Sequence, residues 1–155
     1  WICEGYVTAT PGPVIDYAYV VDHLNTVRDM YDLRLIAADR WKVTELIRIM
    51  PPWFVDTAIE FSQGIKSMSP SIKAFERHYL QGLVSDGGNP VQDWMMSCCE
   101  VFTDSSGNVK LIKPQDRSDK RIDGPITAVM ALDIAITHEA ERLDDLDVSS
   151  IVRLF

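Results

Sequence analysis

Apolar residues recur every three or four positions in several stretches of the chain, which is the spacing of one face of an α-helix. Asp16 stands as an N-cap before the first stretch. Ser69-Pro70 opens the third, with proline at the first helical position. The pattern predicts helices over residues 17–31, 42–50, 69–84, 91–98 and 122–143.

Apolar runs between these stretches predict β-strands. Residues 33–38 are almost wholly apolar, as in a strand covered on both faces, and the run stops at Asp39. The turn-forming segment Asp104-Ser105-Ser106-Gly107-Asn108 separates two β-prone runs, a strong signal for a hairpin. The remaining predicted strands and hairpin arms are residues 6–9, 54–61, 101–103 and 109–112. Strands that alternate with helices predict an α/β fold with helices packed on a sheet.

Charge and composition restrict the function classes. The 155 residues suffice for one domain with a real core, and no apolar run approaches the roughly 20 residues of a membrane span, so we expect no membrane contact. A net charge of −8 counts against broad, sequence-independent DNA binding, which normally uses a basic face. It leaves room for a contact in which carboxylates attract metal ions and the metal meets phosphate.

The cysteines and aromatic residues suggest no site of their own. Three cysteines, two of them adjacent, do not make a disulfide framework, and no zinc-ligand spacing occurs, so we expect a reducing, cytoplasmic setting. We interpret Trp41, Trp53 and Trp94 as core aromatics.

Two acidic residues are candidates for metal binding. Asp39 ends a buried strand, the edge at which functional residues of α/β sheets gather. Asp123 opens the last helix. Carboxylates delivered to one spot by two different elements are typical of metal-dependent nucleases. Each acid has an alternative interpretation as a plain helix N-cap, and Arg40 is a candidate ion-pair partner for Asp39.

Several segments occur together, in order, in one known family. They are 10–17 (TPGPVIDY), 35–41 (LIAADRW), 63–70 (QGIKSMSP), 88–94 (GNPVQDW) and Lys113 followed by 121–124 (RIDG) and 130–132 (MAL). On these motifs the chain resembles the C-terminal nuclease domain of the large terminase subunit of tailed bacteriophages, the DNA-packaging motor. The likeness covers about residues 1–133.

The resemblance implies an RNase H-like fold, a mixed sheet flanked by helices. It also implies an endonuclease that cuts concatemeric double-stranded DNA with two ions, Mg²⁺ or Mn²⁺. Asp39 and Asp123 match two of the family's three metal-holding acids, and Lys113 and Arg121 are candidates for contacts to DNA phosphates. By the same resemblance, the partners are the terminase small subunit and the portal protein, in the host bacterial cytoplasm.

The chain departs from the family at its N-terminus. The family's first acid belongs to a strand upstream of Trp1, so we expect the first strands to be missing and this piece to cut poorly or not at all. We expect a nuclease domain over residues 1–143 and an acidic tail over 144–155. An alternative is a catalytically silent interaction module of a packaging motor, and an unrelated α/β hydrolytic enzyme is a third hypothesis without a nucleophile motif.

Overall fold

The computed structural model describes residues 1–14, 16–114 and 119–145. Helices and strands alternate along these ranges, as expected for an α/β protein, and none of the helices described is both long and apolar enough to cross a membrane. The elements in chain order are α1 (Tyr17–Met30), β1 (Ile36–Asp39), α2 (Arg40–Ile47), α3 (Pro52–Thr57), β2 (Ala58–Phe61), α4 (Ile65–Leu80), α5 (Pro90–Ser97), β3 (Glu100–Thr103), β4 (Val109–Ile112) and α6 (Asp123–Asp145).

Polar caps determine where two of the predicted helices begin. The Asp16 side chain accepts a hydrogen bond of 2.9 Å from the backbone N–H of Ala18, so the predicted N-cap of α1 is confirmed. Asn89 does the same for α5, accepting from the N–H groups of Val91 and Gln92 at 3.0 and 3.3 Å. Such caps satisfy backbone donors that a first helical turn otherwise leaves without partners.

The strands form two separate pairs. β1 and β2 run parallel, with Ile36 opposite Ala58 and Asp39 opposite Phe61. β3 and β4 form the predicted antiparallel hairpin. We expected one mixed sheet. In the described residues there are two separate pairs instead, because no strand bridges the parallel pair to the hairpin.

Three local predictions were wrong. Residues 6–9 form no strand, and the predicted strand over 54–61 is α3 followed by the shorter β2. Pro52 at the first turn of α3 favours a helix there, and the Thr57 hydroxyl donates to the carbonyl of Trp53 at 3.1 Å. α4 begins at Ile65 rather than at Ser69, so Pro70 lies inside it.

The core joins α4 and α6 to the parallel strands. Its buried members are Phe61, Met68, Ile72, Phe75, Val129 and Met130. Burying each such side chain stabilises the fold by roughly 1.5–3 kcal/mol. α4 also holds the hairpin, because the buried Ser69 hydroxyl accepts a hydrogen bond of 3.0 Å from the N–H of Val109. This packing fixes the direction of α6, which carries one of the candidate acids.

The predicted C-terminal boundary falls near the end of the described chain. α6 runs to Asp145, so it continues past the predicted helix end at residue 143. Residues 146–155 of the predicted acidic tail lie outside the described residues.

Candidate functional site

Asp39 lies at the carboxyl end of β1, directly before α2. Its Oδ1 atom accepts a hydrogen bond of 2.8 Å from the N–H of Trp41, so the carboxylate caps α2. The other oxygen, Oδ2, takes no part in the hydrogen bonds of the described residues, and no ion pair joins Asp39 to Arg40, both of which are described. Asp39 therefore caps a helix while one oxygen of its half-buried side chain remains available.

Asp123 is the first residue of α6 and is exposed. Its side chain makes no hydrogen bond with any described residue. The carbonyl of Ile122, one residue earlier, accepts the N–H of Ile126 at 3.1 Å. The interpretation of Asp123 as a plain N-cap therefore lacks the side-chain hydrogen bond that defines one. A negative charge in the first turn still interacts favourably with the helix dipole.

The contacts of α6 show which way it runs past the parallel strands. Gln63, just beyond the end of β2, has its Nε2 atom 3.6 Å from Sδ of Met130. Leu35, just before β1, lines a cavity together with Ile134 and His138 further along the helix. α6 is therefore antiparallel to β1 and β2, and its first turn extends beyond the edge where both strands end. Asp123 precedes Met130 by about 10 Å of helix.

Three of the four predicted site residues line one cavity. Its volume is about 370 Å³, and it is lined by Lys113, Lys120, Arg121, Ile122 and Asp123. Asp39 is not among these lining residues. The structure thus brings together the two predicted phosphate-binding residues and one candidate metal ligand, and it leaves the second candidate ligand at the strand edge.

Helix α5 holds the start of α6 in place. The N–H of Gly124 points at Sδ of Met95, 3.2 Å away. A Cβ atom at Gly124 would overlap Oε1 of Gln92 and lie 2.9 Å from the same sulfur. The two helices therefore approach closely beside Asp123, and a side chain at Gly124 would have to displace the flexible ends of Gln92 and Met95.

The residues present fit a divalent metal in donor type but not in number. Carboxylate oxygens are the ligands that Mg²⁺ and Mn²⁺ prefer. In the described ranges, however, no group of three histidine, cysteine or acidic side chains could hold a metal ion. The described residues do not form a complete metal site, and no catalytic step through a metal follows from them alone.

Sequence reasoning missed several residues around the cavity. Lys120 lies with its Nζ atom 5.9 Å from the centre of the Trp94 ring, and Trp1 packs against the same ring at 5.4 Å. Trp94 and Trp53 are half-buried, whereas Trp41, also interpreted as a core aromatic, is 84% exposed. The signal in the sequence for this cavity was the pair of adjacent basic residues, Lys120 and Arg121, just before the last helix.

Comparison with known proteins identifies the family. The profile of the terminase large subunit, endonuclease domain, matches residues 1–139. The chain belongs to this family. It is thus a terminase-type endonuclease domain, as the sequence motifs predicted, and its α/β fold carries the candidate acids at a strand end and a helix start.

The chain is also similar to two curated relatives and one solved structure, and the HK97 relative and the structure are large terminases. The large terminase subunit of Enterobacteria phage HK97 is 31% identical over 95% of this chain, and protein YmfN of Escherichia coli K12 is 24% identical over 91%. The crystal structure of the HK97 bacteriophage large terminase matches 84% of the chain with a TM-score of 0.74 and 31% identity. The chain spans 29% and 31% of the lengths of the two relatives and 27% of the solved chain.

Proposed function

We propose that this terminase domain is a metal-dependent endonuclease that cuts concatemeric double-stranded DNA during genome packaging. The observation that carries the proposal is the family match over residues 1–139 together with the cavity that groups Asp123 with Lys113 and Arg121. A carboxylate beside two cations suits a site that handles a metal ion and a phosphate together.

Asp39 and Asp123 are the proposed metal ligands, and Mg²⁺ or Mn²⁺ the proposed ions, two in the complete domain. Support comes from their positions at the strand end and at the start of α6, on the same side of the parallel pair. A further ligand has to come from outside the described residues, since these contain no group of three. The match to only 29% of the HK97 subunit is consistent with a ligand from another part of a longer polypeptide.

The proposed fold is RNase H-like. The parallel pair β1–β2, the acid at the end of β1 and the antiparallel course of α6 support it, as does the TM-score of 0.74 with the HK97 large terminase. In this proposal the domain spans residues 1–143, and residues 144–155 form its tail.

The proposed partners are double-stranded DNA, the terminase small subunit and the portal protein, in the host bacterial cytoplasm. Kinship with a large terminase subunit supports this setting of a packaging motor. Lys113 and Arg121 are the proposed contacts to DNA phosphates.

The test compares two proteins on supercoiled plasmid in Mn²⁺. One is the chain itself, and the other is the chain fused behind the segment that precedes the matched region in the HK97 large terminase. We expect the fused protein to nick and linearise the plasmid. Asp39→Asn and Asp123→Asn should each slow it by at least about 100-fold, since ligand loss costs no less than loss of an outer-shell partner.

Two results would contradict the nuclease assignment: no cutting by a folded fused protein, or cutting that neither substitution changes. The matched control is Asp133→Asn. It removes the same charge from α6, more than two turns beyond Asp123. Cutting by the control should equal that of the parent.

The second candidate function is a catalytically silent interaction module of the packaging motor. The absence of a three-residue metal group among the described residues and the net charge of −8 favour it. Calorimetric titration of the fused protein with Mn²⁺ separates the two candidates. The nuclease binds two ions and loses binding with Asp39→Asn, whereas the module binds none.

A further inference from the structure

The cavity at the start of α6 is locally positive in an acidic protein. Among the described residues, its charged lining consists of Lys113, Lys120, Arg121 and Asp123, a formal charge of +2, while the chain as a whole carries −8. In two other cavities the described lining contains acids and no lysine or arginine: Glu60 with Asp133 in one, Asp86 with Asp93 in the other. The basic cavity is therefore a specific local feature rather than a sample of the general surface.

One of its cations is held by an aromatic ring. The Nζ atom of Lys120 lies 5.9 Å from the centre of the Trp94 ring, within the range of an attractive cation–π contact. Trp94 belongs to α5, the helix whose Gln92 and Met95 touch Gly124 at the start of α6. A lysine side chain normally samples many rotamers, and the ring restricts this one at the rim of the cavity.

We propose that this cavity binds a backbone phosphate of double-stranded DNA, with Lys120 as a direct contact and Trp94 as the residue that positions it. The inference rests on the proposed function only in taking DNA as the ligand. Lysine and arginine are the side chains that contact DNA phosphates most often, through charge and hydrogen bonds. Asp123 in the same cavity weakens the attraction for a single small anion. A DNA strand offers neighbouring phosphates and reaches all three cations at once.

The first test measures binding of the chain to a short fluorescent duplex by anisotropy, in EDTA so that no metal takes part. Lys120→Gln is compared with Lys66→Gln, which removes the same charge from the exposed start of α4. We expect Lys120→Gln to reduce the slope of log affinity against log salt by about 0.9. Between about 50 and 200 mM KCl, the parent then loses about 3.5-fold more affinity than the variant.

The second test separates positioning by Trp94 from a merely structural role. Trp94→Leu leaves the charge unchanged and should reduce the salt slope nearly as far as Lys120→Gln does. Trp94→Phe keeps a ring and should restore most of the slope. In the Lys120→Gln background, Trp94→Leu should cause no further loss. An equal loss in both backgrounds means that Trp94 supports the fold and overturns its positioning role, and thermal melting of each variant shows whether α5 has remained folded.

Two outcomes overturn the phosphate contact itself. One is a salt slope that Lys120→Gln changes no more than Lys66→Gln does. The other is binding of inorganic phosphate that Lys120→Gln abolishes while the affinity for the duplex stays unchanged, which assigns the cavity to a free anion. Neither depends on cleavage, so a failed plasmid assay with an intact Lys120 effect rejects the nuclease and leaves this inference standing.

Discussion

The carboxylate of Asp39 accepts the backbone N–H of Trp41 through Oδ1 at 2.8 Å. The residue proposed as a metal ligand therefore also caps the helix that follows it. The two roles use different properties of the side chain. Capping requires an oxygen acceptor, and metal binding of the proposed kind requires a negative charge.

Substitutions at Asp39 should separate the two roles. Asparagine caps helices about as well as aspartate, so Asp39→Asn should change the free energy of unfolding by less than about 0.5 kcal/mol. Asp39→Ala removes the acceptor and should cost about 1 kcal/mol. Both should slow cutting by the fused protein by at least about 100-fold. Urea denaturation measures the first effect and plasmid nicking the second. Equal destabilisation by Asn and Ala would mean that the hydrogen bond to Trp41 contributes nothing.

Local signals predicted most elements of this fold. Asp16 and the hairpin turn at Asp104 each act through hydrogen bonds within a few residues, so the sequence alone predicted α1 and the β3–β4 hairpin correctly. One misassigned segment, α3, is held by distant contacts as well as by its local proline signal. Trp53 in α3 donates from Nε1 to Oδ1 of Asn25 at 3.1 Å and lies under Arg28 of α1, and no local pattern encodes that packing.

For the candidate site, too, some residues could be named from the sequence and others could not. The resemblance identified Asp123, Lys113 and Arg121, which the structure groups in one cavity. The sequence did not predict the contact between Lys120 and Trp94, because the two residues are 26 positions apart and a tryptophan is first interpreted as a core residue. The position of Asp39 relative to that cavity depends on the packing of α6 against β1, a relationship between elements that no motif spacing specifies.

Asp104 should make the hairpin sensitive to acid. Its Oδ2 accepts from Nδ2 of Asn108 at 2.8 Å, and its Oδ1 accepts the N–H groups of Asn108 and Ser106, each at 2.9 Å. These bonds, that from the Asn108 side chain foremost, hold the pKa of Asp104 below its ordinary value of 3.8. A lowered pKa stabilises the folded state above the unfolded-state value, and the contribution is lost as pH falls through the folded-state value.

The stability difference between the parent and Asp104→Ala should therefore be largest near neutral pH and shrink below pH 3.8. Thermal melting across this range measures it. Asn108→Ala should raise the pKa of Asp104 toward its ordinary value, as read from the carboxyl carbon shift in NMR titration. A pKa that Asn108→Ala leaves unchanged would contradict the assigned cause.

The three cysteines should differ sharply in reactivity. All are free, with Cys3 exposed and Cys98 buried. Burial, and secondarily the neighbouring Cys98, raises the pKa of Cys99 to about 11. Since the thiolate is the reactive form, one thiol should react quickly with a thiol reagent at mildly alkaline pH, and Cys3→Ser should abolish this phase.

The raised pKa of Cys99 should also make the folded state less stable at alkaline pH. The folded state holds the Cys99 proton more tightly than the unfolded chain, so this contribution is complete below pH 9.0 and is lost as pH rises toward about 11. Cys99→Ala should lessen the loss of stability over that window. Rapid labelling of Cys99 in the folded protein at mildly alkaline pH would contradict both expectations.

Gly124 should tolerate a side chain only if Gln92 gives way. A Cβ atom there overlaps Oε1 of Gln92, the far end of a flexible side chain, so the cost should lie at or below the low end of the about 1–3 kcal/mol typical of overpacking. We expect Gly124→Ala to lower the free energy of unfolding by about 1 kcal/mol or less. The double variant Gly124→Ala/Gln92→Ala should recover most of the loss, because the shorter side chain vacates the space. Denaturation of the four proteins in this cycle measures the coupling between the two residues. Because Gly124 follows Asp123 directly, the same substitution should also displace the start of α6 and slow cutting by the fused protein. Additive losses of stability in the double variant would show that the Gln92 side chain is not what opposes a Cβ atom at Gly124.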